Sequence, residues 1–336
     1  MFVSGESVMD FGARALVIPA EFAGKRNVVT FSFLETTGKF TAYEGNRMGA
    51  LSAAGRSSGD EELKLPLEAA KAALLANGFS LDKLDYSFSM SLECAAPASA
   101  GRDAAVCAAV FAGVFDYLGN KRGSRAAFRK EYSAPGSQIS EADAILLASD
   151  APAVFRKDFL LDGTVRVKAA ETKVSPPQGT VFLYADPKTP ENRSLLDVAC
   201  GVACANNIVA ASGKAKPAKD MTANERAKIT DAFSGITDRL CKELSSPQAS
   251  PGKVAILLEL EHGALCDAGV LSGGTRAAAV AAKQAGALAA KASGPEGAVL
   301  ALVYEDDADR VFAAFVQKGY AASQISVSKK GMSSER

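Results

Sequence analysis

The residues best suited to chemistry lie in the stretch 97–105, which reads Pro-Ala-Ser-Ala-Gly-Arg-Asp-Ala-Ala. The alternation from Tyr86 to Leu92 before it is typical of a half-buried strand, and the apolar run from Ala104 to Leu118 after it is typical of a buried helix. A strand, a small-residue loop and a helix N-terminus direct backbone N–H groups toward an anion, commonly a phosphate. The pattern therefore predicts an anion site, although an ordinary connection between a strand and a helix has the same form.

Metal chemistry has few candidate ligands in this sequence. Cys200 and Cys204 lie one helical turn apart in an apolar segment, but the sole histidine, His262, is far from them along the chain. The six cysteines are better interpreted as reduced, mostly buried thiols. A single histidine also excludes a mechanism that needs a histidine pair.

Composition excludes several classes of function. The 38 basic residues balance the 38 acidic ones, so bulk charge does not indicate a nucleic-acid partner. No apolar run is long enough to cross a bilayer, and the first residues lack the pattern of a signal peptide. We expect a cytoplasmic protein that binds neither nucleic acid nor membrane. Its 336 residues can form one large or two medium domains.

The predicted elements indicate an α+β fold. Antiparallel strands in the first 60 residues suit that class better than a doubly wound sheet. An amphipathic helix over Leu65–Asn77 precedes the strand and loop described above, and another helix begins where Ser140 or Asp143 could serve as its cap. In the second half the pattern predicts helices over 194–211, 224–244, 254–265, 275–285 and 306–318, and strands over 298–303 and 324–327.

Four segments occur in a recognisable order. Residues 5–12, Gly-Glu-Ser-Val-Met-Asp-Phe-Gly, are similar to the motif G-E-H-x-x-x-x-G, and residues 97–105 stand where P-x-G-x-G-L-G-S-S-A-A is expected. Residues 259–270 resemble N-x-x-L-L-x-x-L-G-V, and residues 286–294, before an apolar strand, resemble G-A-L-G-A-K-L-T-G. These motifs belong to the superfamily of galactokinase, homoserine kinase, mevalonate kinase and phosphomevalonate kinase (GHMP kinases). The resemblance is closest to mevalonate kinases.

The resemblance implies a two-lobed α+β fold. Residues 1–178 would form an N-terminal lobe with an antiparallel or mixed sheet, helices, the phosphate loop and the catalytic aspartate, and residues 179–336 a C-terminal α+β lobe. It also implies ATP and Mg²⁺ as cofactors, with ATP between the lobes. The reaction would transfer the γ-phosphoryl group to the hydroxyl of a small alcohol, mevalonate or a sugar, mainly by positioning and charge neutralisation.

The resemblance also assigns roles to individual residues. Asp143 stands where the motif S-G-x-D-N-A has the catalytic aspartate, and Glu131 matches a glutamate that helps to hold Mg²⁺. Asp103 is a second candidate metal ligand. The expected nucleotide contacts are Pro97, Ser99, Ala100, Gly101, Arg102, Asp103, Ala104, Ser293, Gly294 and Gly297. The expected substrate contacts are Glu6, Ser7 and Asp10.

Each nucleotide motif departs from the family pattern. Ser7 replaces the histidine of the first motif, and the lysine expected before that motif has no counterpart. The phosphate loop keeps only Gly101, and Arg102 and Asp103 replace its serine pair. Arg102 could pair with a phosphate, whereas Asp103 could hold Mg²⁺ or repel the triphosphate. In the third motif Pro295-Glu296 removes a backbone donor and adds a negative charge.

Two hypotheses of different classes follow from these departures. The first is an active ATP-dependent kinase of a small molecule, which is supported by the retained Glu131 and Asp143. The second is a catalytically inactive relative that keeps the fold as a module for binding a protein partner or for assembly, which is supported by the altered motifs. A galactokinase-like sugar kinase is a further alternative, because Ile18-Pro19-Ala20 resembles that branch. The sequence leaves open whether the chain forms a homodimer.

Overall fold

The structure is a computed structural model of the chain. It describes residues 1–5, 9, 12–23, 27–34, 39–52, 56–79, 87–97, 100–133, 137, 139–149, 151–159, 165–188, 202–205, 208–211, 222–294, 297–328 and 332–333. The chain divides into two compact units. Unit 1 comprises Met1–Gly24 and Ala151–Ser328, and unit 2 comprises Lys25–Asp150 and Lys329–Arg336.

The described elements confirm an α+β fold. The strands are β1 (Phe2–Ser4), β2 (Ala15–Val17), β3 (Ala20–Phe22), β4 (Val28–Leu34), β5 (Lys39–Glu44), β6 (Arg47–Ser52), β7 (Ser57–Gly59), β8 (Ser87–Glu93), β9 (Ala153–Phe159), β10 (Val165–Glu171), β11 (Thr180–Asp186), β12 (Val202–Ala205), β13 (Ile208–Ala211), β14 (Ala289–Ser293), β15 (Ala298–Tyr304) and β16 (Ala321–Val327). The helices are α1 (Lys64–Ala76), α2 (Arg102–Tyr117), α3 (Ser124–Tyr132), α4 (Glu141–Ala148), α5 (Ala223–Leu244), α6 (Pro251–Asp267), α7 (Gly273–Gln284) and α8 (Ala308–Gln317).

Unit 2 is a five-stranded sheet with helices α1 to α4. The strand order is β4-β8-β5-β6-β7, in which β8 runs parallel to β5 and the other neighbours are antiparallel. Phe88, Met90 and Leu92 alternate into the core from β8, as the sequence predicts for a half-buried strand. Nine side chains of α2 are buried in the same core. The expected strand, loop and helix around residue 97 are therefore confirmed.

Among the described residues, unit 1 contains three antiparallel sheets and helices α5 to α8. One sheet has the order β1-β2-β9-β10, a second has the order β14-β15-β11-β16-β3, and the third pairs β12 with β13. Residues 298–303 of β15 are all fully buried, so this apolar run is covered on both faces of its sheet. Helices α5, α6, α7 and α8 confirm the predictions over 224–244, 254–265, 275–285 and 306–318.

The helix predicted over 194–211 is wrong. Within the described part of that range, Val202–Ala205 and Ile208–Ala211 are strands β12 and β13, paired antiparallel. Valine and isoleucine favour extended backbone, and the sequence between the strands is Asn206-Asn207, a pair suited to tight turns. Cys204 lies in β12, and Cys200 lies outside the described residues.

The two units divide the chain differently from the expected lobes. Ala15 of β2 pairs with Phe155 of β9, which places residues 151–178 in the same unit as the start of the chain. Phe22 of β3 pairs with Ile325 of β16, which ties the first 24 residues to the end of unit 1. Long-range antiparallel pairing of this kind leaves no signal in the local sequence pattern. In the described residues, no helix combines the length and hydropathy that crossing a membrane requires.

Candidate functional site

The loop before α2 presents a helix N-terminus. The Ala100 N–H donates to the Pro97 carbonyl at 3.0 Å, and Gly101 follows with φ +78°, a left-handed conformation that favours glycine. The Ala105 N–H makes the first intrahelical bond, to the Gly101 carbonyl at 3.1 Å. No side chain caps α2 in the part of the chain that the structure describes. The N–H groups of Arg102, Asp103 and Ala104 therefore point out of the helix end, where an anion could accept their hydrogen bonds.

Asp143 lies beside this helix N-terminus. A Cβ atom built on Gly101 would lie 3.9 Å from Asp143 Oδ1. Ser140 caps α4, because its Oγ accepts from the Asp143 N–H at 3.1 Å and donates to Asp143 Oδ2 at 2.6 Å. Ser140, not Asp143, is therefore the helix cap. Its hydrogen bond fixes one carboxylate oxygen of Asp143 and leaves the other directed toward Gly101.

Arg102 is already engaged by carboxylates. Its Nη2 contacts both carboxylate oxygens of Glu44, and its Nη1 lies 3.8 Å from Glu62 and 4.0 Å from Asp103. Burial raises the pKa of Glu44, but the hydrogen bond and charge of Arg102 outweigh burial and hold this pKa below its usual range. The Arg102 guanidinium, which the sequence predicts could pair with a phosphate, is thus neutralised by Glu44. Sequence reasoning missed Glu44, which lies 58 positions before Arg102.

Glu131 is exposed on α3 and lines a cleft of about 1010 Å³ between α1 and α3. The described lining of this cleft includes neither Asp103 nor Asp143. Asp103 is exposed in the first turn of α2. Among the described residues, no group of three or more histidine, cysteine, aspartate or glutamate side chains could hold a metal ion. Glu131 as a magnesium ligand therefore stays a prediction from the resemblance, and Asp103 stays a candidate ligand in place of a hydroxyl. Ser99, Glu6, Ser7 and Asp10 lie outside the described residues.

In unit 1, segments of the first and third motifs converge on α6. The Gly5 N–H donates to Glu261 Oε1 at 2.8 Å, and Lys291 Nζ lies 3.5 Å from the same oxygen. Lys291 and Glu261 are fully buried, with 0 % and 1 % of their surface exposed. Ser293 Oγ donates to the Phe2 carbonyl at 2.7 Å, which joins β14 to β1. A buried ion pair thus holds together two segments that the resemblance assigns to the substrate and the nucleotide.

The third motif comprises strand β14 and the start of its hairpin connection to β15. Ser293 ends β14 and pairs with Ala298 of β15, and the turn between them includes Gly294 and Gly297 with φ of +81° and +87°. Thr275, in the first turn of α7, donates from Oγ1 to the Gly297 carbonyl at 2.8 Å. The structure therefore places Ser293, Gly294 and Gly297 at one end of a sheet, and their contact with a nucleotide stays a prediction.

Gly5 of the first motif has no room for a side chain. Its φ is +83°, and a Cβ atom would lie 2.1 Å from the Arg14 carbonyl oxygen. We expect Gly5→Ala to lower the free energy of unfolding by at least about 2 kcal/mol, because strain in φ adds to a backbone clash. Gly269→Ala is the matched control in unit 1, because Gly269 has φ +70° with no atom within 4 Å. Denaturant unfolding of both variants tests this expectation, and equal losses would contradict the clash.

His262 predicts a pH dependence of stability. Its Nδ1 accepts from the Ala292 N–H at 3.3 Å, and burial followed by the charge of Lys291 lowers the pKa of His262 to about 4. The unfolded imidazole, with a pKa near 6.5, takes up a proton first as the pH falls. Stability is therefore retained above pH 6.5 and decreases by on the order of 3 kcal/mol as the pH falls to 4.

The control for this prediction is His262→Asn, whose side-chain oxygen can still accept the Ala292 N–H. The difference in unfolding free energy between wild type and variant should change with pH only between about 6.5 and 4. Because His262 is the only histidine, no other imidazole contributes to that difference. A difference that is constant over this range would show that His262 is not held neutral.

Comparison with known proteins gives matches at the level of structure. No protein-family model matches the chain, and no curated protein matches it. A solved mevalonate kinase is 12% identical with a TM-score of 0.67, over 97% of this chain and 96% of that one. The mevalonate kinase of L. major in complex with R-mevalonate is 14% identical with a TM-score of 0.64, over 99% and 94%. The galactokinase of Lactococcus lactis complexed with galactose is 16% identical with a TM-score of 0.63, over 98% and 92%.

Proposed function

We propose, from the fold that the chain shares with GHMP kinases, that it is an ATP-dependent kinase of a small molecule. It would transfer the γ-phosphoryl group of Mg-ATP to a substrate hydroxyl, as a mevalonate kinase does. The observation that carries the proposal is the position of Asp143 Oδ1 beside Gly101 at the N-terminus of α2. Such a transfer needs two features side by side: a site that binds phosphate and a carboxylate that can accept a proton.

Different residues of the chain would have different roles in this transfer. The N–H groups of Arg102, Asp103 and Ala104 would donate hydrogen bonds to phosphate oxygens at the end of α2. Asp143 would accept the proton of the substrate hydroxyl as the hydroxyl oxygen attacks the γ-phosphorus, and ADP would be released. Ser140 fixes Asp143 Oδ2 and so orients the carboxylate before substrate binds. Mg²⁺ would neutralise the phosphate charge; Glu131 would hold it by resemblance, and Asp103 would hold it in place of the hydroxyl that the family pattern has there.

The substrate is proposed only as a class. R-mevalonate and galactose are bound by two of the similar solved structures, and both are small hydroxylated molecules. We propose an acceptor of this class, with a mevalonate-like alcohol preferred and a sugar as the alternative. The expected cytoplasmic location and the homodimer stay predictions.

Binding of ATP tests the proposal. Isothermal titration calorimetry of the full chain should show binding in the micromolar range with Mg²⁺ and weaker binding without it. If the wild-type protein binds ATP much more tightly than adenosine, the phosphate contacts supply most of the affinity for ATP. No heat of binding at millimolar ATP would contradict the proposal.

One observation favours a second candidate function, an inactive module for binding or assembly. The carboxylates of Glu44, Glu62 and Asp103 surround the only arginine of the phosphate loop, and negative charge there opposes a triphosphate. Under this alternative the folded chain would neither bind ATP nor transfer phosphate, and its ligand would be another protein.

A further inference from the structure

Glu44 reaches the N-terminus of α2 from the tip of a tight hairpin. It ends β5, Arg47 begins β6, and the two residues pair across the connection Gly45-Asn46. Gly45 has φ +57°, as two-residue hairpin turns require. Since strands on both sides fix this turn, Glu44 is held against Arg102 by the backbone of the sheet. The side chains of Arg102 and Glu44 are only 18% and 19% exposed.

The contact belongs to a network with an excess of negative charge. Arg47 contacts Glu62 and lies 3.7 Å from Glu44 and 4.0 Å from Asp60. With the contacts of Arg102 to Glu44, Glu62 and Asp103, two guanidinium groups face four carboxylates. The excess of two negative charges lies at the helix end where phosphates would bind. Such an arrangement weakens anion binding, because like charges at these distances repel.

We propose that Glu44 is a positioning residue that limits nucleotide affinity by occupying the Arg102 guanidinium, so that phosphates bind only when Arg102 turns from Glu44 to them. The inference rests on the proposed function, since it concerns phosphates at the same helix N-terminus. Arg102 is a guanidinium with several donors, and one of its terminal nitrogens is committed to both oxygens of Glu44. Exchange of that carboxylate for a phosphate would leave Glu44 paired with Arg47, which already faces it.

The test is Glu44→Gln, measured by calorimetry and by steady-state kinetics with Mg-ATP. Glutamine keeps the shape of the side chain but releases the ionic hold on Arg102 and removes one negative charge. We expect the Kd and KM for Mg-ATP to fall about tenfold, which corresponds to about 1.4 kcal/mol. The kcat should stay within about twofold, and the affinity for adenosine, which has no phosphates, should not change. A general change in structure would alter the kcat and the affinity for adenosine together with the affinity for Mg-ATP.

Two further variants keep the test decisive. Glu62→Gln should shift the Mg-ATP affinity in the same direction by less, because Glu62 lies 3.8 Å from Arg102. Glu93→Gln is the matched control, because this exposed residue at the end of β8 carries the same charge and is not one of the carboxylates around Arg102. It should leave the affinity unchanged.

The outcomes separate this inference from the proposed function. Measurable ATP binding by wild type with clearly tighter binding by Glu44→Gln would support both. Absent binding by wild type with clear binding by Glu44→Gln would support the role of Glu44 and contradict the kinase proposal. Binding by wild type that is equal to or tighter than that of Glu44→Gln would overturn the role of Glu44 and leave the kinase proposal intact. Absence of ATP binding in wild type, Glu44→Gln and Glu62→Gln alike, with all three folded, would overturn both.

Discussion

Asp143→Asn is expected to lower the rate of phosphoryl transfer by about 10²–10⁴-fold, the usual effect of removing a group that accepts a proton in the transition state. Asparagine is nearly isosteric with aspartate, and its side-chain oxygen can still accept from Ser140. The cap of α4 and the core beneath it should therefore be retained. Single-turnover rates at saturating ATP and acceptor measure the effect, and the affinity for ATP should change by no more than about twofold.

The control for Asp143→Asn is Glu141→Gln. Glu141 is in the first turn of the same helix and carries the same charge, so its loss changes the local potential without touching Gly101. We expect its rate to stay within about threefold of wild type, since screening limits a charge effect that acts through solvent. An Asp143→Asn variant that transfers phosphate as fast as Glu141→Gln would show that Asp143 is not the proton acceptor.

Lys291→Met is expected to lower the free energy of unfolding by about 3–5 kcal/mol, because it leaves the buried Glu261 carboxylate without the adjacent ammonium. Both side chains are fully buried, so water cannot replace the lost charge. The loss should also disturb Gly5, whose N–H donates to the same Glu261 oxygen. Urea unfolding of the full chain, followed by circular dichroism, measures the change.

Two comparisons isolate the buried charge in this experiment. The double variant Lys291→Met, Glu261→Gln removes both charges, keeps an oxygen that can accept from the Gly5 N–H, and should recover much of the stability. Lys283→Met breaks the ion pair of Lys283 with Glu259, in which both side chains are about 40% exposed, and should cost less than about 1 kcal/mol. A Lys291→Met variant no less stable than Lys283→Met would contradict the account of this pair.

The sequence predicts those elements whose residues carry strong local signals. The alternation of Phe88, Met90 and Leu92 identifies β8, and the long apolar run after Gly101 identifies α2. The helix prediction over 194–211 is wrong because the small and β-branched residues of this segment suit a buried strand as well as a helix. Periodicity cannot separate those two structures in a short apolar run.

The candidate site is predictable only where a motif supplies its residues. Asp143 and Gly101 are found through the resemblance, and the structure then brings them together. Glu44 carries no local signal, because its contact with Arg102 depends on how a hairpin packs beside a helix 58 positions later. The Lys291–Glu261 pair is similar: each charge lies within an apolar segment, but only long-range packing brings the two together.

Transfer of labelled γ-phosphate from ATP by the full wild-type chain is the most direct test of the central claim. The acceptors would be mevalonate, phosphomevalonate, galactose and homoserine, each with Mg²⁺ and with the Asp143→Asn variant as the blank. The account predicts that one acceptor is labelled, that ADP forms in equal amount and that the blank is slower by at least about 10²-fold. Folded protein that labels none of the acceptors and binds no ATP would contradict it, and the inactive binding module would then be the better description.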